Sequence, residues 1–313
     1  RETEAAEKAE LARIQKALCA EVAKHAAAIR GGISAAEALD MVLSRVRLGL
    51  ATKCSIAKRT EVHSLRLRNA RHPLIDPGRV VPFSLHIDGK DQVLLITGPN
   101  TGGKTVTLKA VGLIVAMAQC GLMIPADESY VGFFPQIWAD VGDQQSLQQS
   151  LSTFSGSIRT IAQIAHEVVP GALVLLDEMG AGTDPAEGAA LARAILMFLQ
   201  EKGARVFATT HHGQLKLLAF DRPGFVNASM EFDTKSLGPT YRLLVGASGS
   251  SHALMIASRY GVPTEIIEAA KASGPELNSE ISVVLERLNQ AQKLAQSAQS
   301  RADKLASSLA EWE

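Results

Sequence analysis

Residues 93–105 read VLLITGPNTGGKT, and this stretch gives the strongest indication of the fold. Its first five residues are apolar apart from a closing threonine, as expected of a strand that a parallel sheet buries on both faces. A glycine-rich loop follows directly, and residues 105–119 then have the apolar spacing of a helix. A buried strand, a tight loop and a helix in this order predict one unit of an α/β fold.

Further strands and helices alternate along the chain. Apolar runs at Leu173–Leu176 and Arg205–Thr209 predict two more buried strands, and residues 188–202 have a helical pattern between them. A short strand is also predicted at residues 84–87. This alternation predicts an α/β domain with a mainly parallel sheet.

The loop after the first strand has the glycines, the lysine and the threonine of a phosphate-binding loop in order. In such a loop, glycines let backbone N–H groups curl around a phosphate, and the helix N-terminus adds partial positive charge. We expect Lys104 to reach the β- and γ-phosphates of ATP and the Thr105 hydroxyl to bind Mg²⁺. The residues predicted to bind ATP are Gly98, Pro99, Asn100, Thr101, Gly102, Gly103, Lys104, Thr105 and Val106.

Two acidic residues, Asp177 and Glu178, follow the second predicted strand. At a strand end beside the phosphate loop, the Asp177 carboxylate can hold the Mg²⁺ shell. Glu178 is then placed to polarise a water molecule that attacks the γ-phosphate, which makes it a candidate catalytic residue together with Lys104. The alternative is an ordinary strand end with capping acids, and the pairing with the phosphate loop favours the magnesium site.

A histidine pair, His211 and His212, follows the third predicted strand. Ligands of open parallel sheets bind at the carboxyl edge, so a histidine there can contact the γ-phosphate or the attacking water. A single histidine is more often structural, but these companions make His211 a third candidate catalytic residue. We treat His212 as its neighbour.

Residues 150–157 are small and rich in hydroxyl groups, and a helix is predicted from Ile158 onward. The start of such a helix can receive an anion, and the alternative is a simple capped helix. Composition leaves open whether that anion belongs to the same chain.

The whole sequence has 32 basic and 32 acidic side chains among 313 residues, which argues against a polybasic coat for nucleic acid. The balance is a cancellation, because residues 1–80 have 15 basic and 9 acidic side chains whereas residues 81–276 have 13 and 18. A local basic surface within the first 80 residues stays open, as does a solvated helical arm.

Both flanks of the α/β region have helical patterns. Residues 1–29 form one amphipathic helix in this prediction, Gly31 and Gly32 end it, and Ser34 caps a second helix to about residue 54. These helices form either a hairpin or a long arm. Residues 278–313 have a narrow apolar seam, which predicts a coiled-coil arm or half of a hairpin, with a solvated single helix as the alternative.

Three scattered cysteines argue against a disulfide framework or a zinc site and favour a reducing cytosol. No apolar run approaches the roughly 18 to 20 residues that span a bilayer, so we expect a cytoplasmic protein with no membrane partner. The first residue is Arg1 rather than methionine, so we expect a part of a longer protein.

Several motifs resemble those of the MutS-type ABC ATPases, and most closely the second bacterial branch, which lacks the mismatch-reading domain. The core motifs occur in the family's order and spacing: TGPNTGGKT at residues 97–105, SLSTF at 150–154, LLDEMGAGTDPAEG at 175–188 and ATTHH at 208–212. The resemblance covers about residues 65–272 and extends more loosely over both flanks. It implies a P-loop nucleotide-binding domain of the ABC type, flanked by an α-helical lever and a coiled-coil arm.

The resemblance also implies that two ATPase domains dimerise head to tail and share two composite ATP sites. Ser152 and Thr153 correspond to the signature segment, which would touch the γ-phosphate bound by the other subunit. Residues 180–185 correspond to a loop that crosses the dimer interface, and Gln145 to the loop that senses Mg²⁺. The adenine would lie near residues 81–83, where this sequence departs from the family's Pro-Asn pair.

For the domain organisation, the resemblance implies a lever at residues 1–60, an ATPase domain at 61–276 and the start of a coiled-coil stalk at 277–313. In full-length relatives a clamp and an outgoing lever come before this lever, and the stalk leads to a small nuclease domain. We therefore expect no DNA cleavage by this chain.

The function that the resemblance implies is ATP hydrolysis in a homodimer that drives a clamp on branched or duplex DNA, in the control of recombination. A second role implied for this branch is ATP-dependent action on stalled or collided ribosomes. A third alternative is a nucleotide-gated scaffold in which slow hydrolysis only times partner binding. Glu178 and His211 argue against an inactive ATPase.

Overall fold

The computed structural model describes residues 2–60, 63–99, 102–142, 150–233, 238–247 and 253–272. The chain divides into two compact units, of which the first ends at Ala51 and the second begins at Thr52. The predicted stalk, residues 277–313, lies outside the described residues.

The first unit consists of two helices, α1 (Glu2–Lys24) and α2 (Ala26–Ala51). The prediction that Gly31 and Gly32 end a helix is wrong, because α2 runs through both. A glycine costs about 1 kcal/mol in a helix interior, and the good helix formers around this pair offset that cost. A Cβ added at either glycine would meet no atom within 4 Å, so packing does not require glycine there.

The apolar faces of α1 and α2 are exposed. α1 has no buried residue and α2 buries only Gly49, so the two helices do not form a hairpin that hides its apolar side chains. The large exposed apolar side chains of this unit are Leu11, Ile14, Leu18, Val22, Ile29, Ile33, Leu39, Met41, Val42, Leu43, Val46, Leu48 and Leu50.

The second unit alternates strands and helices. The strands are β1 (Lys58–Thr60), β2 (Leu65–Ala70), β3 (Phe83–Ile87), β4 (Val93–Thr97), β5 (Glu128–Gly132), β6 (Ile137–Asp140), β7 (Leu173–Leu176), β8 (Arg205–Thr209), β9 (Phe225–Asp233) and β10 (Gly238–Val245). The helices are α3 (Lys104–Gln119), α4 (Ser150–Glu167), α5 (Pro185–Glu201), α6 (Leu218–Asp221), α7 (Ala253–Arg259) and α8 (Thr264–Ala272). None of the described helices in either unit is long and apolar enough to cross a membrane.

Six of the strands form the larger sheet, in the order β10-β9-β4-β8-β7-β6. Every neighbouring pair is parallel except β9 and β10, which are antiparallel. The predicted α/β fold with a mainly parallel sheet is thereby confirmed. Successive residues of β4 face opposite sides, so Leu94 and Ile96 join a core with α3 whereas Val93 and Leu95 join a core with α5.

The other four strands form a smaller sheet, in the order β1-β5-β2-β3. In β2, buried Leu65 and Leu67 alternate with exposed Arg66 and Arg68, so this sheet has one apolar and one polar face. The apolar face shares a core with α3 and with one side of the larger sheet. α3 is therefore in contact with side chains of both sheets.

Candidate functional site

The strand order brings the predicted site residues to one edge of the larger sheet. β4, β8 and β7 are neighbours and run parallel, so their carboxyl ends lie side by side. The glycine loop leaves β4, the acidic pair leaves β7 and the histidine pair leaves β8. This is the edge at which open parallel sheets bind ligands.

The glycine loop lies so close to its neighbours that a side chain at two of its glycines would require those neighbours to shift. Gly98 and Gly103 have φ values of 129° and 89°, which only glycine adopts readily. A Cβ on Gly98 would lie 3.3 Å from the Cβ of Met230, and one on Gly103 would lie 3.1 Å from the Cδ1 of Tyr241. The loop is therefore a cradle of bare backbone at the N-terminus of α3.

Lys104, the first residue of α3, is 2% exposed, and its Nζ donates a hydrogen bond of 2.7 Å to the Gly98 carbonyl. Burial lowers the pKa of this ammonium group, whereas the negative charges of Glu178 and Asp177 raise it. The lysine thus places a positive charge between the glycine loop and the acidic pair.

The remaining described residues of the loop form the turn into α3. The Gly102 N–H donates to the Pro99 carbonyl at 3.0 Å. Thr105 is half-buried in the first turn of the helix, and the Val106 side chain is 42% exposed. The role predicted for Val106 in ATP binding stays a prediction.

Thr209, the last residue of β8, joins the two acidic residues. Its hydroxyl donates a hydrogen bond to the Asp177 carboxylate and accepts one of 2.8 Å from the Glu178 backbone N–H. Both Thr209 and Asp177 are buried. Glu178 has a φ of 49°, a left-handed conformation that is uncommon outside glycine. The threonine therefore stabilises an unusual turn and orients the aspartate.

His211 lies beside the second acid, with its Nε2 atom 3.6 Å from the Oε1 of Glu178. Burial lowers the pKa of His211, the charge of Lys104 lowers it further, and the charge of Glu178 raises it. The imidazole is therefore neutral near pH 7 and has one N–H to donate. A carboxylate, a neutral imidazole and an ammonium group can together orient an anionic substrate and a water molecule.

His212 has a different environment from its neighbour. Its Nε2 atom is buried and has no hydrogen-bond partner among the described residues. A Cβ on Gly180 would lie 2.8 Å from that atom, so the ring packs against the loop that follows β7. The pair thus divides into one residue that faces the acids and one that packs against the backbone.

Helix α4 begins at Ser150, so the prediction of a helix start at Ile158 is wrong and the hydroxyl-rich segment forms the first two turns. The Ser157 hydroxyl donates a hydrogen bond to the Asp140 carboxylate at the end of β6. The Asp140 carbonyl in turn accepts the Asp177 backbone N–H at 2.9 Å. These two hydrogen bonds therefore connect the hydroxyl-rich segment, through Asp140, to Asp177. The composition of the segment does not reveal this connection.

Other predicted site residues lie outside the described part of the chain. Asn100 and Thr101 of the glycine loop are among them, and so is Gln145. Ser152 and Thr153 have helical backbone in the first turn of α4, and their side chains are not described. The roles assigned to these five residues stay predictions.

A family model of MutS domain V matches residues 94–278, which is more than half of the chain. The chain belongs to the MutS family. The matched MutS segment begins in β4 and includes the glycine loop, the acidic pair and the histidine pair. The sheet edge described above thus lies within the part of the chain that the family model covers.

Three bacterial relatives of this MutS-family chain bear the name Endonuclease MutS2. The one from Lactobacillus acidophilus is 51% identical over 253 residues, which is 80% of this chain and 32% of the relative. The one from Caldanaerobacter subterraneus is 48% identical over 273 residues, or 87% and 35%. The one from Geobacillus thermodenitrificans is 44% identical over 303 residues, or 96% and 39%. The chain spans about a third of the length of these relatives.

Tyr241 is a residue of this MutS-family site that the sequence does not predict. It lies in β10 where the register with β9 shifts between Pro239 and Leu243, and its φ is 59°. This irregularity places its ring, 46% exposed, beside Gly103. Phe83, in the region expected to lie near the adenine, is 5% exposed and is part of the core.

Proposed function

We propose that this chain binds ATP together with Mg²⁺ and hydrolyses the ATP to ADP and phosphate. The observation that supports it most is the meeting of the glycine loop, Asp177, Glu178 and His211 at one edge of the sheet. Membership of the MutS family supports the same chemistry.

The residues present fit a nucleotide and its metal ion. Gly98 and Gly103 have positive φ values that suit a tight turn around a phosphate, and the α3 N-terminus favours an anion. Lys104 would bind the β- and γ-phosphates. Thr105 and Asp177 would hold Mg²⁺, since hydroxyl and carboxylate oxygens suit this ion. Bound Mg²⁺ supplies neutralisation of charge on the phosphate oxygens.

In the proposed reaction, Glu178 accepts a proton from water while the water oxygen forms a bond to the γ-phosphorus. The bond from the γ-phosphorus to the bridging oxygen breaks, and ADP leaves with that electron pair. His211, neutral and close to Glu178, donates its N–H to the γ-phosphate or to the water. Lys104 stabilises the negative charge of the transferred group.

The proposal includes a homodimer that forms through the ATP sites. Ser152 and Thr153, at the start of α4, would contact the γ-phosphate held by the other subunit, and Gln145 would respond to Mg²⁺. The bond between Ser157 and Asp140 supports this arrangement, because it connects α4 to the strand next to β7.

The proposed partner is branched or duplex DNA, gripped by a clamp that the ATPase drives, in the control of recombination. MutS membership supports a DNA partner, and the name Endonuclease MutS2 of the relatives indicates that those proteins act on nucleic acid. ATP hydrolysis at the residues above would then drive the opening and closing of the clamp, and these residues would not contact DNA themselves.

The hydrolysis is tested with Glu178→Gln, using Glu201→Gln at the exposed end of α5 as the matched control. Loss of the proton acceptor should lower phosphate release by roughly 100-fold or more, while binding of a fluorescent ATP analogue persists. The control should match the wild type in both measurements. Unchanged turnover in Glu178→Gln would contradict the assigned base.

The nucleic-acid part is tested with the same substitution in the longer protein, which would include the clamp, loaded with ATP. We expect ATP-dependent retention of branched or duplex DNA in a pull-down. Co-sedimentation with ribosomes that requires ATP, without retention of DNA, would contradict the DNA partner and favour the ribosomal alternative.

A further inference from the structure

The basic excess of the first 80 residues lies almost entirely outside the two long helices. Residues 1–51 have eight basic and seven acidic side chains, whereas residues 52–80 have seven basic and two acidic. The second of these stretches contains β1 and β2 of the smaller sheet. The basic excess therefore lies in the segment that contains these strands and not in the helical arm.

One face of the smaller sheet bears three of these seven basic side chains, and we call it the open face. Its residues are Lys58, Arg66, Arg68, His86, Glu128 and Tyr130. The strand register aligns four of them in one row across the sheet, in the order Lys58, Tyr130, Arg66 and His86. With strands about 4.8 Å apart, the backbones of Lys58 and Arg66 lie about 10 Å apart on either side of Tyr130.

Tyr130 holds two of the cations in place. The Lys58 Nζ lies 5.0 Å from the ring centroid and donates a 3.2 Å hydrogen bond to the hydroxyl, and the Arg66 Cζ lies 5.8 Å from the same centroid. Cation–π contact favours these positions without neutralising the charges. The side chains of Lys58 and Arg66 are therefore held in position at the surface before any ligand binds.

Glu128 is the acidic residue on this face, and it neutralises the basic side chains of the face only in part. It lies 3.5 Å from Lys58 and 3.9 Å from Arg68, and the side chains of these two bases are 61% and 62% exposed. Among the described residues, no carboxylate lies within salt-bridge distance of Arg66. Three cations against one carboxylate leave the face positive.

The composition of the open face distinguishes between kinds of partner. Its outward positions are charged or polar, and Tyr130 is the aromatic exception. Stable protein interfaces require a desolvated apolar centre, which these positions lack. Interfaces with nucleic acid are polar and positively charged, and arginine and lysine make most of their backbone contacts.

We propose that the open face binds the phosphate backbone of a nucleic-acid strand, with Lys58, Arg66 and Arg68 as its phosphate contacts. The inference rests on the proposed function only in that the protein acts on nucleic acid. It adds a contact surface on the ATPase unit itself, separate from any clamp.

The test measures binding of labelled single-stranded DNA, duplex DNA and RNA of one sequence by the full chain as salt is varied. Arg66→Gln with Arg68→Gln should weaken binding roughly tenfold and make the slope of log K against log salt shallower by about 2. The three probes show which nucleic acid the face prefers. Arg66→Lys with Arg68→Lys keeps the charges and should retain most of the affinity and the slope.

The matched control is Arg193→Gln with Lys202→Gln, which removes two exposed charges at α5. ATP hydrolysis should be unchanged in both double variants, which shows that they fold. Equal binding by the wild type and the Arg66 and Arg68 variant, or equal weakening by the control, would overturn the open-face proposal alone. Absence of nucleic-acid binding by the wild-type chain would overturn the open-face proposal, whereas the DNA partner held by a clamp is decided by the pull-down described above. Phosphatidylserine vesicles serve as a further probe. If the Arg66 and Arg68 variant loses binding to the vesicles but binds all three nucleic acids as the wild type does, the face would be assigned to a lipid surface instead.

Discussion

The Nε2 atom of His211 and the Oε1 atom of Glu178 lie 3.6 Å apart at the carboxyl edge of the larger sheet. The two residues follow neighbouring strands, β8 and β7, so sheet order rather than sequence proximity creates the contact. Burial and the charge of Lys104 disfavour the protonated imidazole, and Glu178 compensates in part. Near neutral pH the contact is therefore between the Glu178 side chain and a neutral imidazole ring. Lowering the pH protonates the ring.

The lowered pKa of His211 predicts an acid-dependent loss of stability. An unfolded histidine titrates near pH 6.5, and folded His211 titrates at a lower pH. Between these values the unfolded chain binds a proton that the folded chain does not, so lowering the pH favours unfolding. Between about pH 7 and about pH 5.5, the free energy of unfolding in urea should fall less for His211→Gln than for the wild type.

His166→Gln is the control for this comparison, because it removes an exposed histidine of α4. It should retain the pH dependence of the wild type. Identical pH dependence in the wild type and His211→Gln would contradict the lowered pKa.

Thr209→Val removes a hydroxyl that both acidic residues use. Valine has nearly the same shape, but the buried Asp177 carboxylate loses this donor and the Glu178 N–H loses this acceptor. We expect a loss of about 1 to 3 kcal/mol in the free energy of unfolding. ATP hydrolysis should fall roughly tenfold or more, because the proposed base and metal ligand are no longer held in place. Thr209→Ser should retain most of both, and a valine variant as active as serine would show that the hydroxyl is dispensable.

Gly103→Ala and Gly203→Ala compare two glycines with similar φ values of 89° and 75°. Both alanines strain the backbone, by about 1 to 2 kcal/mol. The Cβ at position 103, in the glycine loop, would lie 3.1 Å from the Tyr241 ring, whereas the one at position 203, outside that loop, would lie 3.5 Å from Pro170. We expect Gly103→Ala to lose binding of a fluorescent ATP analogue and Gly203→Ala to retain it. Equal loss in both would trace the effect to instability.

Ser157→Ala cuts the bond between α4 and Asp140. If Ser152 and Thr153 act on the other subunit, the variant should bind ATP normally as a monomer but dimerise more weakly. The measurement is sedimentation with ATP in the Glu178→Gln background. Thr160→Ala, which removes a hydroxyl that donates to the Gly156 carbonyl of the same helix, is the control and should dimerise normally. Normal dimerisation of Ser157→Ala would remove the role proposed for this bond.

Sequence predicted the centre of the fold because its strands are buried on both faces. β4, β7 and β8 match their predicted bounds, since short apolar runs next to turns have few alternative structures. The smaller sheet was not predicted as a sheet, because β1 pairs with β5 across a long stretch of chain that contains α3. The alternation of leucine and arginine in β2 was the available signal.

The sequence motifs identify some residues of the site. They do not identify the residues that enter the site only through strand pairing and an irregular strand. Lys104, Asp177 and His211 follow strands that sequence identifies, and the structure brings them to one edge. Thr209 precedes the histidine pair, but its double hydrogen bond depends on the pairing of β7 with β8. Tyr241 reaches Gly103 through an irregular strand, which no local pattern indicates.

α3 begins with Lys104, and its buried side chains share one core with both sheets. A phosphate at the helix N-terminus and a nucleic-acid strand on the open face would therefore act on the same packed interior, which resists compression and transmits displacement. Any change that one ligand causes in the affinity for the other must be reciprocal, since binding free energies are linked. A measurement of either affinity with and without the other ligand therefore gives the strength of communication in both directions.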